Sequence, residues 1–380
     1  MYLEQSLQIF AAVVKPRHLL VMPVMGLLGC SEDVYPWELP PVAASSDVYV
    51  DYSAWADTSA LCMAASFGEW ERFIESSSDF LAIDRPKEKI RFVWVPGGGD
   101  SSYPWPCDKT VGACARLDLT GYQAVIFDGQ MEPDNGHEFV HAIESPAMGR
   151  AHPVFEEGMA EYLSYPYTTN SVVEDFVEAF PVMVDKAPRP DSYLRAMHFV
   201  GSLLEKKGLE TYKIFRARVP QDGKFSDFLV AYQEVYQESL QDALVAMSAS
   251  PIQGRGERWG CRATDVALKW TDSGFFEQEL AARCDGLMVV GPGSDPPSST
   301  FYQIHAIDTE VPGIYEVDLR GLEGASVLLE SCPGYEQSAV SLVSGQTKLT
   351  NLFPGRQRLR VNYPAGAELK PVTLTLASMP

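Results

Sequence analysis

Apolar residues recur along this chain at two periods, and the change from one to the other divides it. From Asp57, "DTSALCMAASFGEWERFIESSSDFL" carries Leu61, Ala65, Phe67, Trp70, Phe73 and Ile74 at helical spacing. The stretch reads as an amphipathic helix with Asp57 or Thr58 as its N-cap. "KIRFVWV" then alternates and ends at "PGGGD", the pattern of a strand followed by a turn. "YQAVIFDG" is a second strand, and its unbroken apolar run predicts an interior place in a sheet. A helix is expected from residues 137–147, and helical periodicity dominates from Val172 to Cys284. Its clearest segment is "SYLRAMHFVGSLLEKKG", which runs from the Ser192 region to Gly208 behind two lysines. "SDFLVAYQEVYQESLQDALVAM" continues the pattern. "VVGPGSDPPSST", residues 289–300, is a linker by composition. Beyond it, "GIYEVDLRG", "ASVLLES", "SAVSLV", "QRLRVNY" and "VTLTLAS" are short alternating runs broken by Gly and Pro. They predict a small all-β domain of sandwich type. No internal repeat is visible.

Composition adds compartment and partners to this picture. With 380 residues, 46% hydrophobic and 21% charged, the chain has the make-up of a globular protein long enough for one large and one smaller domain. A net charge of −21 argues against nucleic acid as a partner, because phosphate binding needs a basic surface. Near the start, "KPRHLLVMPVMGLLGC" combines Lys15 and Arg17 with an apolar run from Leu19 to Leu28. That run is shorter than the about 20 residues a membrane span needs. It resembles a bacterial lipoprotein signal with Leu27-Leu28-Gly29-Cys30 as the lipobox, which implies that Cys30 is lipidated and the protein exported. Ordinary cleavage and secretion is the alternative. "SEDVYPWELPPVAASSD" after it reads as a tether. Six cysteines are left: Cys62, Cys107, Cys114, Cys261, Cys284 and Cys332. An even number in an oxidising compartment points to disulfides, with Cys107–Cys114 and Cys261–Cys284 as the sequence-local pairings.

The candidate chemistry lies in "NGHEFVHA", residues 135–142, which holds two of only six histidines. On a helix, side chains four apart share a face, with β-carbons about 5–6 Å apart, so His137 and His141 can grip one ion. Glu138 stands beside it, placed to take a proton from water. A catalytic zinc site needs a third protein ligand, and "FEEGMAEYL", residues 155–163, offers one.

The full passage "HEFVHAIESPAMGRAHPVFEEGMAEYLSY" resembles the gluzincin metallopeptidases, especially the peptidase-MA-like and aminopeptidase-N-like branches. In these, HExxH is followed by a short connection and E-G-x-A-x-Y. The resemblance implies that His137, His141 and Glu157 bind zinc, one ion per chain, and that Glu138 is the general base. Glu157 follows His141 by 16 residues, and Glu161 falls at a spacing that some gluzincins use for the ligand. Glu157 is preferred, because the glutamate before the glycine is the one that coordinates. Glu161 is then placed to accept a hydrogen bond from a zinc-binding histidine. Glu156 is expected to point off that face into solvent. "YLRAMHFVGSLLEKKGLETYKIF" looks like the later family helix that opens on a tyrosine, which implies that Tyr193 donates a hydrogen bond to the oxyanion. A tyrosine that only packs is the alternative. His198 reads as a satisfied core histidine beside the apolar stripe of its helix, His152 as a loop residue, and His305 as lacking a ligand partner.

The resulting fold class is α+β. A signal over 1–30 and a tether over 31–47 precede a gluzincin-type metallopeptidase domain over 48–288, built of a small sheet, active-site helices and a helical C-terminal subdomain. A linker over 289–300 and a β-sandwich-like domain over 301–380 follow. The expected function is an exported zinc-dependent peptidase. The G-x-M-E-N stretch that captures a free amine in the aminopeptidase-N-like branch is absent, which favours an endopeptidase. Rival readings are an inactive peptidase-fold surface binding protein and a zinc hydrolase acting on a non-peptide bond. A peptide or protein substrate is the expected partner, with membrane contact only through the N-terminal lipid. No pattern identifies a partner for the β-domain.

Overall fold

The structure is a computed structural model, and it describes residues 43–54, 64–95, 113–118, 121–127, 136–164, 168–169, 175–255, 261–262, 264–271, 274–281, 289–290, 301–332, 340–364 and 370–379. The signal, Cys30 and residues 31–42 of the expected tether lie outside these residues, as do Asp57, Thr58, Cys62, Cys107 and Cys284, whereas residues 43–46 of that tether form a paired strand in place of a flexible segment. The fold is mixed α+β.

The first region opens with β1 (Ala43–Ser46), β2 (Val50–Ala54), α1 (Ala64–Leu81), β3 (Ile90–Val95), β4 (Ala113–Asp118) and β5 (Gly121–Phe127). These strands form one sheet in the order β1-β2-β3-β5-β4. β2, β3 and β5 run parallel, while β1 and β4 are antiparallel at the two edges. The unbroken apolar run of β5 does take an interior place. β4, with the sequence ACARLD, has no such run and carries no strand signature in the sequence. Helix α2 (His137–Met148) packs against β4, β5 and α1. Its contact with the sheet is aromatic: Trp70 of α1, Phe92 of β3 and Phe139 of α2 are buried against one another.

A helical layer follows: α3 (Pro153–Ser164), the short strand β6 (Thr168–Thr169), α4 (Phe176–Lys186), α5 (Tyr193–Lys207), α6 (Leu209–Arg218), α7 (Phe225–Tyr236) and α8 (Leu240–Ser248), then β7 (Ile252–Gln253), which pairs with β6. Pro153 opens α3 at the position where a missing N–H costs nothing. α5 ends at Gly208, whose φ of +79° is one that residues with a Cβ avoid. α3 and α5 pack closely because Gly158 has no side chain. A Cβ there would stand 2.5 Å from the Ala196 carbonyl oxygen and 2.6 Å from Val200 Cγ2. Phe155, Phe180, Phe199, Phe215 and Phe228 fill the centre of the layer.

The rest of the chain forms two sheets: β8 (Ala267–Leu268), β9 (Phe275–Leu280), β10 (Val289–Val290), β11 (Phe301–Thr309), β12 (Gly313–Gly321), β13 (Ser326–Ser331), β14 (Val340–Val343), β15 (Thr347–Leu352), β16 (Gly355–Tyr363) and β17 (Val372–Ser378). One sheet has the order β10-β11-β16-β13-β14 with β8 added parallel to β11; the other is β15-β12-β17-β9. Alternate residues of both, among them Val317, Leu319, Val327, Leu329, Leu359, Val361, Leu374 and Leu376, close on one core. This is the sandwich, but it reaches further upstream than the sequence patterns indicate. Residues 267–280 supply two of its strands, and residues 289–290 within the expected linker supply a third. The expected Cys261–Cys284 pairing is also wrong: Cys261 is bonded to Cys332, 71 residues away. A bond between distant segments is invisible to spacing, because folding sets the approach of their α-carbons. Cys114 is disulfide-bonded.

Candidate metal centre

Three helices deliver the candidate residues to one point. α2 begins at His137, so Glu138 and His141 project from its first turns. α3 runs beside α2 and brings Glu157 and Glu161, one turn apart. α5, held against α3 at Gly158, brings Tyr193 at its first residue.

The geometry is tight. His137 Nε2 lies 3.2 Å from Glu157 Oε2 and 3.2 Å from His141 Nε2, and the third side, His141 Nε2 to Glu157 Oε2, is 3.6 Å. Tetrahedral bonds of about 2.0–2.1 Å to nitrogen and oxygen set ligand atoms about 3.3–3.4 Å apart. Two imidazoles and a carboxylate at this separation are a donor set that can hold a metal ion. Glu161 does not belong to the triangle. Its Oε1 is 3.1 Å from His137 Nδ1, the ring nitrogen facing away from the centre. That contact fixes the proton on Nδ1 and leaves the Nε2 lone pair directed inward. The Tyr193 ring lies parallel to His137 at 5.7 Å between centroids, and burial together with the nearby Glu157 carboxylate raises its pKa.

Burial and charge oppose each other here. His137 and Glu138 are 4% and 6% exposed. Burial works against charge on both histidines, yet hydrogen bonds to Glu157, and for His137 also to Glu161, outweigh it and hold their pKa values above the usual imidazole value. Burial likewise resists charge on Glu157, but the two imidazoles hold its carboxyl well below the usual range. Glu138 goes the other way. Burial raises its pKa against the pull of the two histidines. Three carboxylates round two imidazoles make a pocket that favours a cation, whether proton or metal ion.

Glu156 is not solvated: it is 6% exposed, accepts from the Ala151 N–H at 2.9 Å and pairs with Arg150 at 3.0 Å. Both partners belong to the turn that leads into α3. His198 is buried with Nε2 2.9 Å from the Met247 carbonyl oxygen. His152 is a buried structural residue whose Nδ1 accepts from the Val154 N–H at 3.2 Å. His305 points into the sandwich core, where burial depresses its pKa to about 4.

Sequence reasoning missed the support for the far end of α2. Arg216 of α6 donates to the carbonyls of Met148 and Gly149 at 3.0 and 2.6 Å and pairs with Glu144 at 3.1 Å. Burial pushes Glu144 up to about 7, against the pull of Arg216. The available signal was an arginine one turn after buried Tyr212, on a face facing inward.

No family model and no curated protein matches this chain. Among solved structures, the isomalto-dextranase of Arthrobacter globiformis T6 complexed with panose is 13% identical over 28% of this chain and 23% of that one, with a TM-score of 0.18. TmCBM61 in complex with beta-1,4-galactotriose is 14% identical over 28% of this chain and 90% of that one, with a TM-score of 0.15.

Proposed function

We propose that this protein is an exported zinc metallopeptidase of the gluzincin type, acting as an endopeptidase. The observation that carries the reading is the triangle of His137 Nε2, His141 Nε2 and Glu157 Oε2, with sides of 3.2, 3.2 and 3.6 Å. Those sides fit one small tetrahedral ion, and two histidines with one carboxylate are a set that catalytic zinc uses. Zinc, when bound, supplies a Lewis acid that polarises a carbonyl and acidifies water. The chain's own residues do the rest. Glu138, buried beside the triangle with a raised pKa, takes the proton from the attacking water. As the carbon–oxygen bond forms and the carbon–nitrogen bond breaks, it returns that proton to the leaving amine. Tyr193, stacked on His137, donates to the developing oxyanion. Glu161 holds His137 in the tautomer that the site requires.

A peptide substrate is supported by the sheet beside α2. β4 is an antiparallel edge strand packed on that helix, and an extended peptide can add to such an edge by main-chain hydrogen bonds. Export is supported by the Cys261–Cys332 bond and the bonded Cys114, with anchoring through lipid on Cys30. No helix among the described residues is long and apolar enough to cross a membrane.

The test is the metal content and peptide-library digest of purified residues 31–380. About one zinc per chain is expected, together with cleavage inside peptides rather than at their ends. Glu138→Gln should abolish hydrolysis while zinc content and Tm stay at wild-type values. A chain fully loaded with zinc that cleaves nothing replaces this reading with the binding-protein one. A chain that takes up no zinc overturns the peptidase reading.

A further inference from the structure

Two anchors meet at Cys261, Arg262 and Asp265, which lie in sequence between the helical layer and the sandwich. Cys261 is bonded to Cys332, which follows β13. Arg356 of β16 donates through Nη1 to the carbonyls of Arg262 and Asp265, the latter at 2.8 Å. Its Nε and Nη2 hold the two oxygens of Asp308 at 2.8 and 2.9 Å. The Asp265 carboxylate closes the turn by accepting from the Arg262 N–H at 3.0 Å. A covalent bond and a bidentate guanidinium thus fix this turn to the six-stranded sheet.

From the turn, the Arg262 side chain reaches out of the sandwich to Glu69 of α1. Its Nη1 stands 2.5 Å from Glu69 Oε2, with the two side chains 12% and 5% exposed. Arg72 pairs with the other oxygen of Glu69. Water cannot replace such partners for a carboxylate this buried.

α1 is also the helix that meets the start of α2. Phe73, one turn after Glu69 and on the same face, lies against Gly136, the residue before His137. A Cβ at Gly136 would stand 2.3 Å from Phe73 Cζ, so no slack exists between the helices there. Trp70 packs on Phe139, inside the HEFVH segment, at 5.6 Å between ring centroids, and on Phe92 at 4.3 Å. The opposite end of α2 is held separately, by Arg216. Whatever sets the position of α1 therefore sets the first turn of α2, which carries His137 and Glu138.

We propose that the sandwich is a positioning element of the candidate site, acting through Glu69 and Arg262 as positioning residues. The fixed turn presents Arg262, Arg262 holds α1 through Glu69, and α1 seats the first turn of α2 through Phe73 and Trp70. The inference deepens the peptidase reading and rests on it for the catalytic consequence, but the mechanical coupling stands on contacts within the protein alone.

The experiment is amide hydrogen exchange by mass spectrometry on metal-depleted full chain, comparing wild type with Glu69→Gln, Arg262→Gln and Arg262→Lys. The two Gln variants should speed exchange over residues 137–141 about fivefold to tenfold. Residues 225–248 of α7 and α8 should exchange at the wild-type rate, and Arg262→Lys, which keeps the charge, should resemble wild type. In zinc-loaded protein the same Gln variants should lower kcat with KM unchanged. Unchanged exchange at 137–141, or a uniform increase across all helices, overturns the proposal. Should either Gln variant fail to fold, the Cys261→Ser, Cys332→Ser pair frees the same turn and must give the same localised increase. If wild type neither binds zinc nor cleaves peptides, the functional reading fails while the exchange data still decide the coupling.

Discussion

Glu161 is the residue whose role can be worked most directly into a number. Its carboxylate meets His137 Nδ1 at 3.1 Å, with both side chains largely buried. Hydrogen bonds to charged groups contribute about 1.5–3 kcal/mol, roughly twice a neutral pair. Glu161→Gln keeps an oxygen that can accept and loses only the charge, so about half of that is lost, which is about fourfold to tenfold in metal affinity. Glu161→Ala leaves the Nδ1 proton buried and unpaired and should weaken binding by about 10- to 100-fold. Glu157→Ala removes a corner of the triangle itself and should abolish retention of zinc against a competing chelator. Titration with a zinc-sensitive chelator above neutral pH orders the three variants. At lower pH every affinity should fall, because both histidines are held above their ordinary pKa and protons compete earlier. A wild-type affinity for Glu161→Ala, or a loss equal to that of Glu157→Ala, refutes this division of labour.

Tyr193→Phe keeps the ring on His137 and removes the hydroxyl, so kcat should fall about 100-fold or more with little change in KM. A change confined to KM would return Tyr193 to a packing role. Gly158→Ala should lower Tm by forcing α3 off α5, at a cost of about 1–3 kcal/mol, and should weaken zinc binding by shifting Glu157. Unchanged melting would mean the two helices are less closely seated than the 2.5 Å approach to Ala196 implies. Burial lowers the folded pKa of His305 to about 4, below the ordinary imidazole value of about 6.5. Its stabilising contribution is therefore complete above the unfolded value and is lost as pH falls towards 4. Between about pH 7.5 and about pH 4.5, the wild type should lose about 2–3 kcal/mol that His305→Leu does not, read from urea unfolding followed in the sandwich.

What could be read ahead of the structure follows the range of the forces involved. The candidate centre occupies 25 residues, His137 to Glu161, on two consecutive helices. There the 3.6-residue period fixes which side chains share a face, so residue order nearly determines geometry. Tyr193 needed a third helix, and its approach depends on Gly158, a small residue whose meaning appears only once Ala196 is seen beside it. Glu156 misled for the opposite reason. Its position on the helix face predicts a solvent-facing side chain, but the turn at Arg150 and Ala151 folds back to satisfy it. The interior place of β5 followed from its apolar run, whereas β4 at the edge has no such signature. The contacts that couple the regions carry no periodic trace at all. Glu69 and Arg262 lie in separate elements, and Cys261 and Cys332 are 71 residues apart. A buried ion pair between distant segments contributes little to net stability and much to relative position, because only one arrangement of the two elements satisfies both charges. That makes the same contact hard to foresee from residue order and well suited to setting the register of a helix that begins with a ligand.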